Sequence, residues 1–130
     1  MSDVVLFEER AAGAGYIGRA SLNRPGKLNT LTTEMIALLH RQFEAWVEDD
    51  ACKAIFLDGA GEKGFCAGGD VVAVTTADAP NLEVGRRFFS TEYDLNYFMH
   101  TCPKPLLVWG GGICMGGGFG LLQGATTKIV

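Results

Sequence analysis

Gly64-Phe65-Cys66-Ala67-Gly68-Gly69-Asp70 and Gly110-Gly111-Gly112-Ile113-Cys114-Met115-Gly116-Gly117-Gly118-Phe119-Gly120 are the two stretches from which the fold is read. Each follows a short apolar run with strand character, residues 54–57 before the first and 106–109 before the second, and each leads into residues able to start a helix. A strand that turns through glycines into a helix aims backbone N–H groups outward, where they can hold a negatively charged oxygen without a side chain. Two such donors from separate segments make an oxyanion hole. Tight turning or close backbone packing, with no chemistry, accounts for glycine clusters equally well. Neither stretch has the glycine spacing of a dinucleotide fingerprint, and no Lys-Ser/Thr pair follows to make a phosphate-binding loop.

The bulk composition narrows the classes. A chain of 130 residues is long enough for one small domain with a modest core. Its formal net charge of -4, with no basic run, argues against nucleic acid as the main partner. Eighteen glycines without a three-residue period exclude collagen and imply many constrained turns. Cys52, Cys66, Cys102 and Cys114 lie in separate segments without metal-ligand spacing, so no metal site is expected. With no apolar leader-like stretch near Met1, these cysteines read as reduced thiols of a cytoplasmic protein. Cys66 and Cys114 sit beside the glycine turns but have no histidine nearby in sequence, which favours packing over nucleophilic roles. Residues 105–127 carry no charge, yet the glycines at 110–112 and 116–118 suit a strand, a turn and a buried helix better than a membrane span.

Outward from the glycine stretches, residues 4–7 and 16–22 read as two strands of a hairpin joined through residues 10–15. Asn23-Arg24-Pro25-Gly26-Lys27-Leu28-Asn29 is a rigid loop, because Pro25 fixes its own φ and biases Arg24 toward an extended conformation. Thr32 or Thr33 caps a helix reaching about Glu48, with Met35, Leu39, Phe43 and Trp46 or Val47 on one stripe. Residues 71–74 form a brief helix, and residues 75–81 a surface loop or lid. A long helix covers residues 82–100, with Phe88 or Phe89, Leu95 or Asn96, and Met99 returning at helical spacing, and with Glu92 available to a cleft. Thr101-Cys102-Pro103-Lys104-Pro105 ends it, a helix follows the second glycine stretch from 115 to 124, and residues 128–130 begin a strand.

Leu22-Asn23-Arg24-Pro25 with Leu28-Asn29, the Phe65-Cys66-Ala67-Gly68-Gly69-Asp70 block, and Met115-Gly116-Gly117-Gly118 after Lys104-Pro105 together resemble the crotonase superfamily, the enoyl-CoA hydratase/isomerase fold. Phe89-Ser90-Thr91-Glu92-Tyr93-Asp94-Leu95-Asn96 and residues 120–130 resemble more specifically its 3-hydroxyisobutyryl-CoA hydrolase branch. The resemblance implies an α/β chain folded as a spiral of β-β-α turns that binds an acyl-CoA thioester, with CoA entering as part of the substrate and no permanently bound cofactor. By resemblance the thioester oxygen is held by the backbone amides of Gly69 and Gly117. Ala67 and Gly68 lie along the substrate, Glu92 contacts it, and Arg24, Lys27 and Asn29 line the CoA. Asp70 and Gly120 are structural.

Hydratases of this superfamily carry a glutamate where this chain has Gly120, which disfavours two-glutamate addition of water and matches the hydrolase branch. The branch's main catalytic glutamate and an aspartate belong downstream of Val130. Residues 1–130 are therefore expected to be the N-terminal portion of an acyl-CoA-binding domain whose C-terminal part is missing. Such a portion should lack full activity and associate with further copies of itself. The implied reaction is hydrolysis of a short branched 3-hydroxyacyl-CoA in valine breakdown. Enoyl-CoA hydration or isomerisation, or non-catalytic CoA binding, are the alternatives.

Overall fold

The computed structural model of the chain describes residues 3–69, 82–114 and 117–129. Strands β1 (Val5–Ala12) and β2 (Gly15–Leu22) form an antiparallel hairpin whose ladder runs from Val5 opposite Leu22 to Ala12 opposite Gly15. The strands are thus longer than the apolar pattern suggests, and only Gly13 and Ala14 connect them. A two-residue hairpin turn needs positive φ, which Gly13 supplies at +60°. The charged run Glu8-Glu9-Arg10 hides the strand from a hydrophobicity reading. Glu8 and Arg10 pair on the open face of the sheet, while Glu9 accepts the Trp46 Nε1–H at 3.0 Å.

Strand β3 (Cys52–Gly59) pairs parallel with β2, β5 (Leu106–Trp109) with β3, and β7 (Thr127–Ile129) with β5, giving a sheet of order β1-β2-β3-β5-β7. Parallel neighbours require crossovers, and helices supply them. Helix α1 (Thr33–Glu48) connects β2 to β3, and α2 (Leu82–His100) precedes β5. Thr32 caps α1 by accepting the Met35 N–H at 3.2 Å. The helix buries Met35, Ile36, Leu39, Phe43 and Trp46 against the sheet, and Trp46 lies so close over Gly18 that a Cβ there would stand 2.4 Å from the indole. Acidic residues at the end of α1 oppose its dipole, and the helix stops at Glu48. Lys104, from the segment before β5, donates through Nζ to the carbonyls of Trp46 and Asp49, both at 2.6 Å, and supplies the missing positive charge.

Ala20, Leu22, Ile55, Leu57, Leu106 and Val108 line the helix side of the sheet and form one core with α1 and α2. Of the alternatives on α2, Phe88, Leu95 and Met99 are buried, whereas Phe89, Tyr93 and Tyr97 are exposed. On the opposite sheet face, Arg19 pairs with Asp58 at 2.7 Å and Glu8 at 3.0 Å, and Ser21 donates to Asp58. Residues 105–127 divide into β5, β6 (Ile113–Cys114) and α3 (Gly117–Gln123). No described helix is long and apolar enough to cross a membrane.

Two elements depart from the sequence expectation. The glycine stretches hold short strands, β4 (Gly64–Cys66) and β6, which pair parallel as a second, two-stranded sheet. Glycine has little strand propensity, so only tertiary pairing creates these strands. The brief helix expected at 71–74, the loop or lid expected at 75–81, and Asp70 lie outside the described residues.

Candidate functional site

The small sheet joins the two glycine stretches. Gly64 stands opposite Ile113 and Cys66 opposite Cys114. Gly112 has φ +71°, and a Cβ there would lie 2.6 Å from the Lys63 carbonyl oxygen, so this turn requires glycine on two counts. A Cβ on Gly118 would lie 2.3 Å from the Cys66 carbonyl oxygen. The first turn of α3 therefore rests directly on the end of β4. Gly117 opens α3, and N–H groups in the first turn of a helix have no intrahelical acceptor.

On the β4 side, the turn is held by the loop that precedes α1. The Leu31 N–H donates to the Gly68 carbonyl at 2.7 Å, the Ala67 N–H to the Leu28 carbonyl at 3.0 Å, and Leu31 and Gly69 form a parallel bridge. Gly68, at φ +114°, directs its N–H to the Cys66 sulfur at 3.4 Å. Among the described residues no acceptor takes the Gly69 N–H. The Phe88 ring covers Gly69, 2.9 Å from where a Cβ would be.

Asn29 joins this loop to β4. Its side chain is fully buried, Oδ1 accepts the Arg24 N–H at 2.8 Å, and Nδ2 donates to the carbonyls of Ala60 at 2.9 Å and Phe65 at 3.1 Å. Its backbone, like that of Leu28, is left-handed, with φ values of +55° and +54°. The amide expected along CoA is thus spent inside the protein. Arg24 donates to the Thr30 carbonyl at 2.7 Å, and Lys27 is exposed on the short 3-10 turn Pro25–Lys27. A cavity of about 230 Å³ lies beside this turn, bounded by Pro25, Leu28, Glu62 and Lys63.

Helix α2 crosses both glycine turns with one stripe. Phe88 meets Gly69, Asn96 meets Gly120, and Met99 meets Gly124, where a Cβ would stand 2.8 Å from the Met99 Cβ. Glu92 lies between Phe88 and Asn96 on this stripe, half-buried, and burial raises its carboxyl pKa above the usual range. It follows Phe88, which covers Gly69, by one turn of α2 and so faces the same side of the helix as the first glycine turn. The structure thus gathers Ala67, Gly68, Gly69, Glu92, Gly117 and Gly120 around the β4–β6 pair and leaves Arg24, Lys27 and Asn29 to the adjoining loop. The sequence offered Phe88 and Asn96 only as alternatives to Phe89 and Leu95 on the helix stripe, and Lys104 only as part of Lys104-Pro105. The 88-92-96 spacing was the available signal, since it puts two polar residues on the inward stripe of α2.

The cysteines are free thiols. Burial pushes Cys66 up to about 12, and Cys114 is raised by the same cause. At pH 8 a thiol of that pKa is only about one part in ten thousand thiolate. Iodoacetamide at pH 8 should therefore label Cys66 at least tenfold more slowly in the folded chain than in urea, read by peptide mass spectrometry. Equal rates would show that the thiol is not sealed.

The chain matches the enoyl-CoA hydratase/isomerase family over residues 17–130. It is 42% identical over 120 residues to a mitochondrial 3-hydroxyisobutyryl-CoA hydrolase of Gallus gallus, covering 92% of this chain and 30% of that protein. Its identity to the Homo sapiens protein of the same name is 39% over 120 residues, with the same coverage. Among solved structures, a carnitinyl-CoA dehydratase from Mycobacterium thermoresistibile superposes with a TM-score of 0.89 at 38% identity, covering 98% of this chain and 36% of that one. An enoyl-CoA hydratase from Rhodobacter sphaeroides superposes with a TM-score of 0.88 at 31% identity, covering 97% and 36%. The chain thus spans about 30% of the length of these curated relatives. The expectation of a cytoplasmic protein is overturned, because these relatives are named as mitochondrial. Free thiols are not peculiar to the cytosol, and the residues near Met1 carried that expectation by themselves. The match over residues 17–130 and the shared α/β architecture establish that the chain belongs to the enoyl-CoA hydratase/isomerase, or crotonase, family.

Proposed function

We propose that the chain carries the oxyanion-hole portion of an acyl-CoA thioester hydrolase acting on a short branched 3-hydroxyacyl-CoA, of the 3-hydroxyisobutyryl-CoA type. The observation that carries this reading is the β4–β6 pairing, with the Gly118 backbone seated on Cys66. In this reading two N–H groups from segments far apart in sequence, those of Gly69 and Gly117, flank one thioester oxygen, and the pairing of the two glycine stretches supports it. When water adds to the thioester carbon, negative charge moves onto that oxygen, and fixed amides stabilise it more than they stabilise the ground-state carbonyl. Ala67 and Gly68 form the wall along the acyl–sulfur bond, and Glu92 contacts the acyl group. CoA lies toward the exposed Lys27 and the neighbouring cavity, with Arg24 and Asn29 shaping the loop beneath it. No step calls for a metal or a resident cofactor. Hydrolysis also needs a proton acceptor and donor, and a further carboxyl group from a longer polypeptide is proposed for that work.

Enoyl-CoA hydration or isomerisation is the second reading, favoured by the hydratase and dehydratase names of the superposed structures. Gly120 stands against it, because a glycine there offers no carboxylate to the double bond.

Calorimetric titration of the 130-residue chain with free CoA and with 3-hydroxyisobutyryl-CoA tests the proposal. The thioester should bind at least tenfold more tightly than CoA, since only it places an oxygen between the amides. Equal affinities, or no binding of either, would sink the oxyanion-hole reading. A steady-state thioesterase assay should show turnover far below that of the longer relatives. Turnover equal to theirs would remove the need for a further carboxyl group.

A further inference from the structure

Cys66 lies where the two glycine stretches meet, and its contacts reach both. Toward the first stretch, its thiol holds Gly68 by both of that residue's backbone groups. The Gly68 N–H donates to Sγ at 3.4 Å, and Sγ stands 3.7 Å from the Gly68 carbonyl, within reach of an S–H donor. Burial keeps the thiol protonated, so it accepts and donates at once. The Leu31 N–H donates to the same carbonyl at 2.7 Å, from the loop that precedes α1. The carbonyl of Gly68 and the N–H of Gly69 belong to one planar trans peptide and point in opposite directions. Fixing the carbonyl therefore fixes the direction of the Gly69 N–H. Gly68 needs that restraint, because glycine alone moves freely around its φ of +114°. Toward the second stretch, the carbonyl oxygen and Cβ of Cys66 form the seat of Gly118, whose own Cβ would stand 2.3 Å and 2.7 Å from them. Gly118 follows Gly117 in the first turn of α3.

We infer that Cys66 is a positioning residue that sets both proposed donors at once, the Gly69 N–H through the thiol held against Gly68 and the Gly117 N–H through the seat of α3. The inference rests on the thioester reading above and adds to it the side chain that fixes the spacing of the two amides. The thiol is fully buried, so it acts through Gly68 and not on the substrate. The backbone and Cβ of this residue would serve α3 with any small side chain. Only a side chain that both accepts and donates a hydrogen bond holds Gly68, a requirement that serine meets and alanine does not. Cys66→Ala leaves the buried Gly68 N–H without its acceptor.

The test compares the wild-type sequence, Cys66→Ala and Cys66→Ser in the full 130-residue chain. Amide hydrogen exchange followed by NMR reads the restraint on Gly68 without any ligand. The Gly68 N–H should exchange at least tenfold faster in Cys66→Ala than in wild type, and Cys66→Ser should stay within threefold of wild type. Calorimetric titration reads the donors. Cys66→Ala should lose at least fivefold in affinity for 3-hydroxyisobutyryl-CoA with its affinity for free CoA unchanged, and Cys66→Ser should keep the wild-type ratio of the two. A merely structural role would lower both affinities together and would not separate serine from alanine. Exchange at Gly68 as slow in Cys66→Ala as in wild type overturns the assignment whatever the ligands do. So does a Cys66→Ala chain that keeps the wild-type preference for the thioester, and that result leaves the oxyanion hole standing. A Cys66→Ser chain that folds yet loses the preference overturns it as well, which keeps the test decisive if the alanine variant does not fold. If the wild-type chain binds the thioester no more tightly than CoA, the oxyanion-hole reading fails and the role of Cys66 falls with it.

Discussion

Gly118→Ala should reduce the affinity of the chain for an acyl-CoA thioester to that for free CoA, a loss of at least tenfold, while helix content by circular dichroism stays unchanged. The new Cβ would meet the Cys66 carbonyl oxygen at 2.3 Å and the Cys66 Cβ at 2.7 Å. Both belong to a paired strand rather than to the free end of a flexible side chain, so neither can step aside cheaply. Relief comes only by lifting the first turn of α3 off β4, by about 1 Å to restore ordinary contact. Misplacement by that amount is enough to cost about a hundredfold where geometry decides catalysis. Overpacking of this kind also costs about 1–3 kcal/mol of stability. Gly120→Ala is the natural control for stability, because its Cβ meets nothing closer than 3.4 Å and alanine favours a helix over glycine. A Gly118→Ala chain that still binds the thioester within twofold of wild type would show that the α3 N-terminus takes no part.

Asn29→Leu should destabilise the fold by about 3–5 kcal/mol, measured by urea unfolding followed by tryptophan fluorescence. The substitution conserves volume but strips partners from the Arg24 N–H and from the carbonyls of Ala60 and Phe65. Each buried orphan costs about 1–3 kcal/mol. It also places leucine at φ +55°, a left-handed conformation that asparagine tolerates better. Against the 5–15 kcal/mol typical of a domain, this is a large share of the total. Asn29→Gly separates the contributions, since glycine adopts that φ freely while losing the same hydrogen bonds. A loss below 1 kcal/mol for Asn29→Leu would mean that the loop is not anchored through this side chain.

Elements governed by local chemistry were legible in the sequence. Thr32 followed by the stripe Met35, Leu39, Phe43 and Trp46 marks α1 from cap to end, and Leu106 to Trp109 between a proline and a glycine marks β5. The long helix α2 reads equally well, because Pro103 and Pro105 close it. Pairing that depends on distant partners was not legible. Residues 8–12 belong to a strand because they pair with residues 15–19 of β2, and Arg19 and Trp46 donate to the carboxylates of Glu8 and Glu9. The three residues of β4 and two of β6 have no pattern of their own. At the site, glycine spacing suggested amide donors, and the family resemblance singled out Gly69 and Gly117. Motif position alone assigned Asn29 to CoA, because the loop that wraps it is visible only in three dimensions.

The small sheet closes a loop of about fifty residues with only two residue pairs. Loop closure costs chain entropy on the order of (3/2)RT ln n, more than so short a ladder can repay by itself. The relative position of the two glycine turns is therefore a property of their braces: the Asn29 loop on one side and helix α2, through Phe88, Asn96 and Met99, on the other. Backbone amides cannot be substituted, so a protein that recognises an oxygen with them must adjust the site from outside. In this chain that adjustment falls to side chains that do not carry the donors themselves.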